Sequence, residues 1–319
     1  MKLLDILKET KNKRQHVEQQ PQTVPQFFLS LEAIRRLEKL QLSASRYLPG
    51  SAVGRRPAFR RKPTTEFLDY RKYVHGDDVR FVDWKASARS EHIYLKQGNY
   101  PKEATVYVLL DCSASMAWGT PSKSQTALSL VTALGYLALA HQDRFVFAAF
   151  HDTSLQFLGP ISGKGQIPSL FNYLTQIQFD GRAHITKAIQ NFSHRSLAAN
   201  GLVFVISDLL EVESLNETLK FVPTPTWNVT ILHLLHKEEL TPSLIGNYEF
   251  QDVETNDKGN FDINSNDIEE YKKLNLSWQG QLELDCISNN AFYTLIPSNW
   301  SLEREIIPHL KDVHILQEL

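Results

Sequence analysis

Apolar positions along the chain fall into short unbroken runs separated by stretches of helical spacing. Val106, Tyr107, Val108, Leu109 and Leu110 follow one another without a polar interruption, which predicts a central strand covered on both faces and ending abruptly at Asp111. Ala127, Leu130, Val131, Leu134, Leu137 and Ala138 then recur at helical spacing within 122–140, and 144–150 reads as a second buried strand. Leu170, Tyr173, Leu174 and Ile177 predict another helix, and a further one opens across 181–189 after a glycine-containing loop. Residues 202–206, ending at Ser207-Asp208, and 228–235 are the next two strands. A hairpin is expected over 246–262 with its turn at 255–260, followed by a helix over 267–283, a last strand over 292–296 and a closing helix over 302–310. Strands alternating with helices predict an α/β protein with a doubly wound sheet.

The first hundred residues have a different pattern. Residues 1–26 are rich in Lys, Gln and Pro, with Pro21 and Pro25 breaking any helix, and read as a flexible arm. Phe28, Leu31, Ile34, Leu37 and Leu40 recur every three residues between charged ones, which predicts an amphipathic helix. Further on, Gly76-Asp77-Asp78 marks a turn and 93–96 alternates like a strand. Arg71, Arg80 and Arg89 lie among Asp69, Asp77, Asp78 and Asp83, a mixture suited to interlocking ion pairs, beside a Trp84 that reads as buried. The expected division is an arm at 1–26, an N-terminal extension at 27–101 and the α/β domain at 102–319.

Charge adds a polarity to this plan. The formal net charge of -2 gives no overall pull toward nucleic acid or an anionic membrane. Residues 1–62 nevertheless hold 14 Lys/Arg against 5 Asp/Glu, whereas 238–270 hold 10 Asp/Glu against Lys258 alone. Within the basic part, Arg55 to Lys62 places five basic side chains in eight residues, which reads either as a solvated loop or as a set of phosphate contacts. Two cysteines, Cys112 and Cys286, make no disulfide framework and no C-x-x-C, which points to a reducing, cytoplasmic setting. The apolar run at the start is broken by Asp5 and lacks a small-residue cleavage site, so no secretory signal is expected, and no stretch is apolar enough to predict a membrane span.

The candidate chemistry sits where the central strand ends. Asp111, Ser113 and Ser115 form D-x-S-x-S, a carboxylate and two hydroxyls on a tight loop at the carboxyl end of a strand, where open α/β sheets place ligands. Hard oxygens suit Mg2+, Ca2+ or Mn2+; the same triplet also serves as an Asx or Ser turn capping the next helix. The loop resembles the metal-ion-dependent adhesion site of von Willebrand factor A domains, in which a divalent cation keeps one position open for a partner's carboxylate. The stretch E-F-x-D-Y-R-x-Y-x-x-G-D-D-x-R-x-x-D-W-x-x-x-A-R, beginning at Glu66 and followed about twenty residues later by D-x-S-x-S, is similar to the bacterial family called domain of unknown function 58.

That resemblance implies a von Willebrand A-like, Rossmann-like sheet carrying an N-terminal extension and a β-hairpin insertion. It also implies a MoxR-type AAA+ ATPase as partner, together with that ATPase's client protein. It maps Asp111, Ser113 and Ser115 onto the first metal loop and Asp208 onto the third. In the second loop relatives commonly carry a ligating Thr, where this chain reads Gly181-Arg182-Ala183-His184. Ala183 has no donor oxygen, so a weakly bound Mg2+ or similar cation and a metal-free site in which Asp111 pairs with Arg182 or caps a helix both stay open. Arg182 and His184 become candidates for meeting a partner. The chain has a strand-end Asp but lacks the second Asp of phosphoryl-transfer hydrolases, and it contains no G-x-S-x-G, P-loop or H-E-x-x-H motif, so no enzymatic activity is expected. The expected function is a non-enzymatic protein-binding module in ATPase-linked assembly or maturation; the alternative is a nucleic-acid or phosphate-binding scaffold using the 55–62 loop.

Overall fold

The computed structural model describes residues 29–43, 61–63, 69–73, 82–89, 92–99, 105–151, 154–195, 201–222, 227–251 and 258–319. The arm expected at 1–26, residues 55–60 of the basic loop expected at 55–62, and Asp77, Asp78 and Arg80 lie outside them; of the hairpin turn expected at 255–260, residues 255–257 lie outside them and 258–260 belong to a strand. The described residues divide into two compact units, one containing 29–43 and 105–319, the other containing those between 61 and 99.

Helix α1 (Leu31–Leu37) opens at Ser30, whose hydroxyl accepts the Ala33 N–H at 3.0 Å. It buries Ala33 and Leu37, four residues apart, and leaves Leu31 76% exposed. The apolar stripe expected at every third residue is therefore corrected, because a helix of 3.6 residues per turn carries i and i+4 to one face. Leu40 belongs to β1 (Leu40–Leu42), which pairs antiparallel with the last strand of the chain. The segment expected to open the N-terminal extension is thus part of the larger unit.

The smaller unit is a three-stranded antiparallel sheet of β2 (Arg61–Pro63), β3 (Asp69–Lys72) and β4 (Tyr94–Asn99) in the order β2-β4-β3. Between β3 and β4, a single helical turn, α2 (Trp84–Ser87), is capped by Asp83, which accepts the N–H groups of Lys85 and Ala86. Trp84 is 65% exposed, contrary to the burial expected of it.

The larger unit continues with β5 (Thr105–Asp111), α3 (Lys123–Ala140), β6 (Arg144–His151), β7 (Ser154–Ser162), α4 (Ile167–Leu174), α5 (Ile185–Arg195) and β8 (Gly201–Ser207). It closes with α6 (Leu215–Leu219), β9 (Trp227–Leu235), α7 (Lys237–Leu240), the hairpin β10 (Gly246–Gln251) and β11 (Lys258–Ile263), α8 (Ser265–Ser288), β12 (Phe292–Pro297), α9 (Ile307–Asp312) and β13 (Leu316–Glu318). Six strands form one sheet in the order β12-β9-β8-β5-β6-β7, parallel throughout except for β7, which runs antiparallel on the edge.

Every residue of β5 is buried, and its alternation feeds two cores. Val106, Val108 and Leu110 join a cluster with α1, α3, α4 and α9, while Tyr107 and Leu109 face α5, α6 and α8. On the second face Tyr107 stacks on Trp227 (ring centroids 5.5 Å) and meets Phe192 edge-on (5.2 Å). Among the described residues no helix is long and apolar enough to cross a membrane.

Candidate functional site

Counted from β5, the strand order of the main sheet is 3-2-1-4-5-6. The chain winds from β5 outward through β6 and β7, then crosses to β8 on the other side, so the carboxyl ends of β5 and β8 flank the point where the winding reverses. Asp111 ends β5, and Ser207 with Asp208 ends β8. Sheet topology alone brings the first and third loops together at the position where open α/β sheets bind ligands.

Asp111 is held by neutral donors: its Oδ1 accepts the Ser113 N–H at 2.9 Å and its Oδ2 the Ser207 hydroxyl at 2.6 Å. The hydroxyls of Ser113 and Ser115 lie 2.9 Å apart, the latter within a short 3-10 turn at 114–117. Backbone bonds fix this loop on both sides. Cys112 N–H donates to the Phe150 carbonyl at the end of β6, Ala114 N–H donates to the Gly181 carbonyl, and Asp180 N–H donates to the Cys112 carbonyl, each at 2.9 Å. The 180–184 loop therefore lies against the first, with Arg182 and His184 exposed and Ala183 buried. Thr186 is turned elsewhere, its hydroxyl bonded at 2.7 Å to that of Thr218 in α6.

Asp208 has a partner that its place in the sequence does not suggest. Its Oδ2 lies 2.7 Å from Lys123 Nζ, and the same ammonium lies 2.7 Å from Glu239 Oε1. Lys123 is 0% exposed. Burial pulls its pKa down, and the two carboxylates more than offset this, so the ammonium stays charged with its pKa above the ordinary lysine value. Glu239 is anchored in turn: its Oε2 accepts the His236 N–H at 2.6 Å, and its carbonyl accepts Tyr271 Oη–H at 2.7 Å and Asn275 Nδ2–H at 2.8 Å. His236 meets Trp118 edge-on at 4.9 Å; Gly119, at φ +101°, lets the chain pass so close to that ring that a Cβ there would lie 2.6 Å from it.

His233 fixes the backbone below the site. Its Nε2–H donates to the Asp208 carbonyl at 3.0 Å and its Nδ1 accepts the Tyr293 hydroxyl at 2.7 Å. Burial lowers its pKa to about 4 despite the nearby Asp208, so the ring is neutral. Asp111 moves the other way: burial first, then the charge of Asp208, raise its pKa to about 6 against the hydrogen bonds from Ser207 and Ser113.

Asp111, Ser113 and Ser115 fit a divalent cation in kind, as three hard oxygens on one loop, with the Asp208 carboxylate near enough for its charge to raise the Asp111 pKa. Asp208 does not fit in the same way, because its Oδ2 is ion-paired with Lys123. Among the described residues no group of three or more His, Cys, Asp and Glu is arranged to hold a metal ion, so a cation here would depend on the hydroxyls. Lys123, Glu239, Ser207 and His233 went unassigned in the sequence. One signal was present for the first of them, since Lys123 is the only charged residue in the 18-residue α3.

The sheet order, parallel but for one antiparallel edge strand, defines a doubly wound α/β protein of von Willebrand A-like fold. The chain belongs to the family described as "Protein of unknown function DUF58", whose profile matches residues 69–277. An uncharacterised protein of Mycobacterium tuberculosis, Rv1480, is 31% identical over 103 residues, covering 32% of this chain. A counterpart in Mycobacterium bovis, Mb1516, matches with the same figures, and the chain spans about a third of the length of either relative (32%). Similar solved structures include the conserved hypothetical protein BatB of Bacteroides thetaiotaomicron, with 17% identity, a TM-score of 0.40, and coverage of 66% of this chain and 98% of that one. An aerotolerance-related membrane protein of Bacteroides fragilis gives 17% identity, a TM-score of 0.44, and coverage of 66% and 99%. The von Willebrand A domain of SpRpn10 gives 13%, 0.38, 65% and 95%.

Proposed function

We propose that this chain is a non-enzymatic, cytoplasmic protein-binding module that works with a MoxR-type AAA+ ATPase in the assembly or maturation of a client protein. The observation that carries this reading is the first loop, where, among the described residues, Asp111 is held by the neutral donors Ser113 N–H and Ser207 Oγ–H beside two hydroxyls, with Arg182 and His184 exposed on the adjoining loop. Asp111, Ser113 and Ser115 would hold a divalent cation such as Mg2+, which when bound supplies an electrophilic point for a partner's carboxylate. Arg182 offers the same carboxylate a planar, permanently charged donor, and His184 adds a polar edge to that rim. The choice of ATPase as partner rests on the family resemblance. The non-enzymatic reading is supported by His233, whose neutral ring spends its two nitrogens on the Asp208 carbonyl and the Tyr293 hydroxyl.

The test is complex formation with the ATPase by the full chain and by Asp111→Ala and Arg182→Ala, each with Mg2+ and with chelator. Wild-type binding is expected to weaken in chelator, and Asp111→Ala to bind weakly in both conditions with its thermal midpoint preserved. Chelator-resistant binding lost only in Arg182→Ala would place recognition on the arginine. Undiminished binding in every combination would sink the assignment of this loop as the docking site.

A further inference from the structure

Lys123 is the first residue of α3, next to the cap residue Ser122, where the positive end of the helix dipole opposes a cation. It is fully buried, where an unpaired ammonium is unstable. Two carboxylates separated from it by 85 and 116 residues in sequence converge on it, each at 2.7 Å. A buried lysine at the least favourable end of a helix persists only where its partners require the charge.

The two strand-end acids are compensated in different ways. Asp111 is met by the Ser207 hydroxyl and the Ser113 N–H, both neutral, whereas Asp208 is met by a full positive charge that Glu239 helps to hold in place. The main-chain carbonyl of Glu239 is itself fastened to α8 by Tyr271 and Asn275, and the carboxylate oxygen that does not meet Lys123 accepts the His236 N–H.

We propose that Lys123 is the built-in counter-ion of the site: it holds Asp208 against Glu239, leaves a divalent cation to Asp111, Ser113 and Ser115 alone, and thereby sets how weakly that cation is bound. This rests on the cation reading of the first loop given above. Asp208 then acts as the anchor of an internal ion pair and not as a ligand. The weak affinity expected from Ala183 has a second origin, because an acid ordinarily available to the metal is already neutralised.

The experiment measures Mn2+ binding, by calorimetry and by the electron paramagnetic resonance of the ion, in the full chain and in two double variants of equal charge. Lys123→Met/Glu239→Gln removes the ammonium and its outer partner, freeing Asp208. Lys123→Met/Asp208→Asn removes the ammonium and Asp208 together. Each removes one positive and one negative charge and leaves one carboxylate of the trio without its cation, which costs stability; circular dichroism and a thermal melt confirm that each variant is folded under the conditions of the titration. The first variant is expected to bind Mn2+ at least tenfold more tightly than wild type, and the second within threefold of it.

A tenfold loss in Lys123→Met/Asp208→Asn would make Asp208 a ligand in the native protein and overturn the proposal while leaving the cation reading intact. No gain in Lys123→Met/Glu239→Gln would overturn it equally. Should wild type fail to bind while that variant binds, the counter-ion role stands and the native cation reading falls. Absence of binding in all three forms defeats both.

Discussion

Lys123 shows how strongly a single side chain here depends on residues distant in sequence. Lys123→Met alone would leave the buried Asp208 and the half-buried Glu239 without their shared cation, and it is expected to lower unfolding stability by about 3–5 kcal/mol, read by denaturant titration at neutral pH. A second residue-scale prediction concerns His233. Its folded pKa of about 4 lies below the ordinary 6.5, so on acidification the unfolded chain takes up a proton before the folded one does. The stability it confers is complete above pH 6.5 and is lost as pH falls toward 4, by about 3 kcal/mol in total. Asp111, raised to about 6 from 3.8, acts in the opposite sense over much of that window, since its folded form is the better proton acceptor. The quantity to measure is therefore the difference between wild type and His233→Gln at pH 7, 5 and 4; an unchanged difference across that range would mean the ring is not held neutral. Asp111, Ser113, Ser115 and Asp208 were legible because they terminate apolar strands. Lys123 and Glu239 were not, because a pairing across 116 residues has no local signature and exists only once β8 and β9 have taken their places beside β5.

Among the elements, β5 packs on both faces, since its two rows of side chains enter separate cores. Leu109→Ala is expected to cost about 2–5 kcal/mol by denaturant unfolding. Leu284→Ala, on the exposed face of α8, is expected to stay within about 0.5 kcal/mol. Equal losses at the two positions would mean that α8 presents its other face. The strands most directly readable from sequence are β5, β6, β8 and β9, which are buried on both sides and have unbroken apolar runs; the edge strand β12, the β10–β11 hairpin and part of β4 were also placed, from alternation and turn residues. Strand β7 was missed because Gly159-Pro160 interrupts it, a pair that an edge strand tolerates and a central one does not. The first helix was placed but its buried face misjudged, since Leu31 and Leu37 belong to one stripe only at a spacing of three.

At the scale of the whole molecule, the smaller unit interrupts the sequence of the larger one between β1 and β5. No composition shift marks that boundary near residue 46, which is why the sequence reading cut the chain at 27. Strand β1 returns to the larger unit through three residue pairs, Leu40 with Glu318, Gln41 with Gln317 and Leu42 with Leu316. Deleting residues 316–319 removes that partner strand together with the buried Leu316. The expected loss is at least the roughly 1.5–3 kcal/mol of burying one leucine, visible as a lower thermal midpoint, with the β5–β8 site unaltered.

The pairing of β1 with β13 also imposes an order of events during synthesis. Leu42 leaves the ribosome 274 residues ahead of Leu316, its neighbour in the sheet. At about 5–20 residues per second that interval is roughly 15–55 s. Throughout it Leu40 and Leu42 have no β13 strand to pair with, while β2, β3 and β4, whose partners all lie within a span of 39 residues, Arg61–Asn99, can complete their sheet early. The nascent chain therefore carries a sticky, unpaired edge until β13 emerges, and a ribosome-bound chaperone that shields residues 29–43 would act on a contact that must form late.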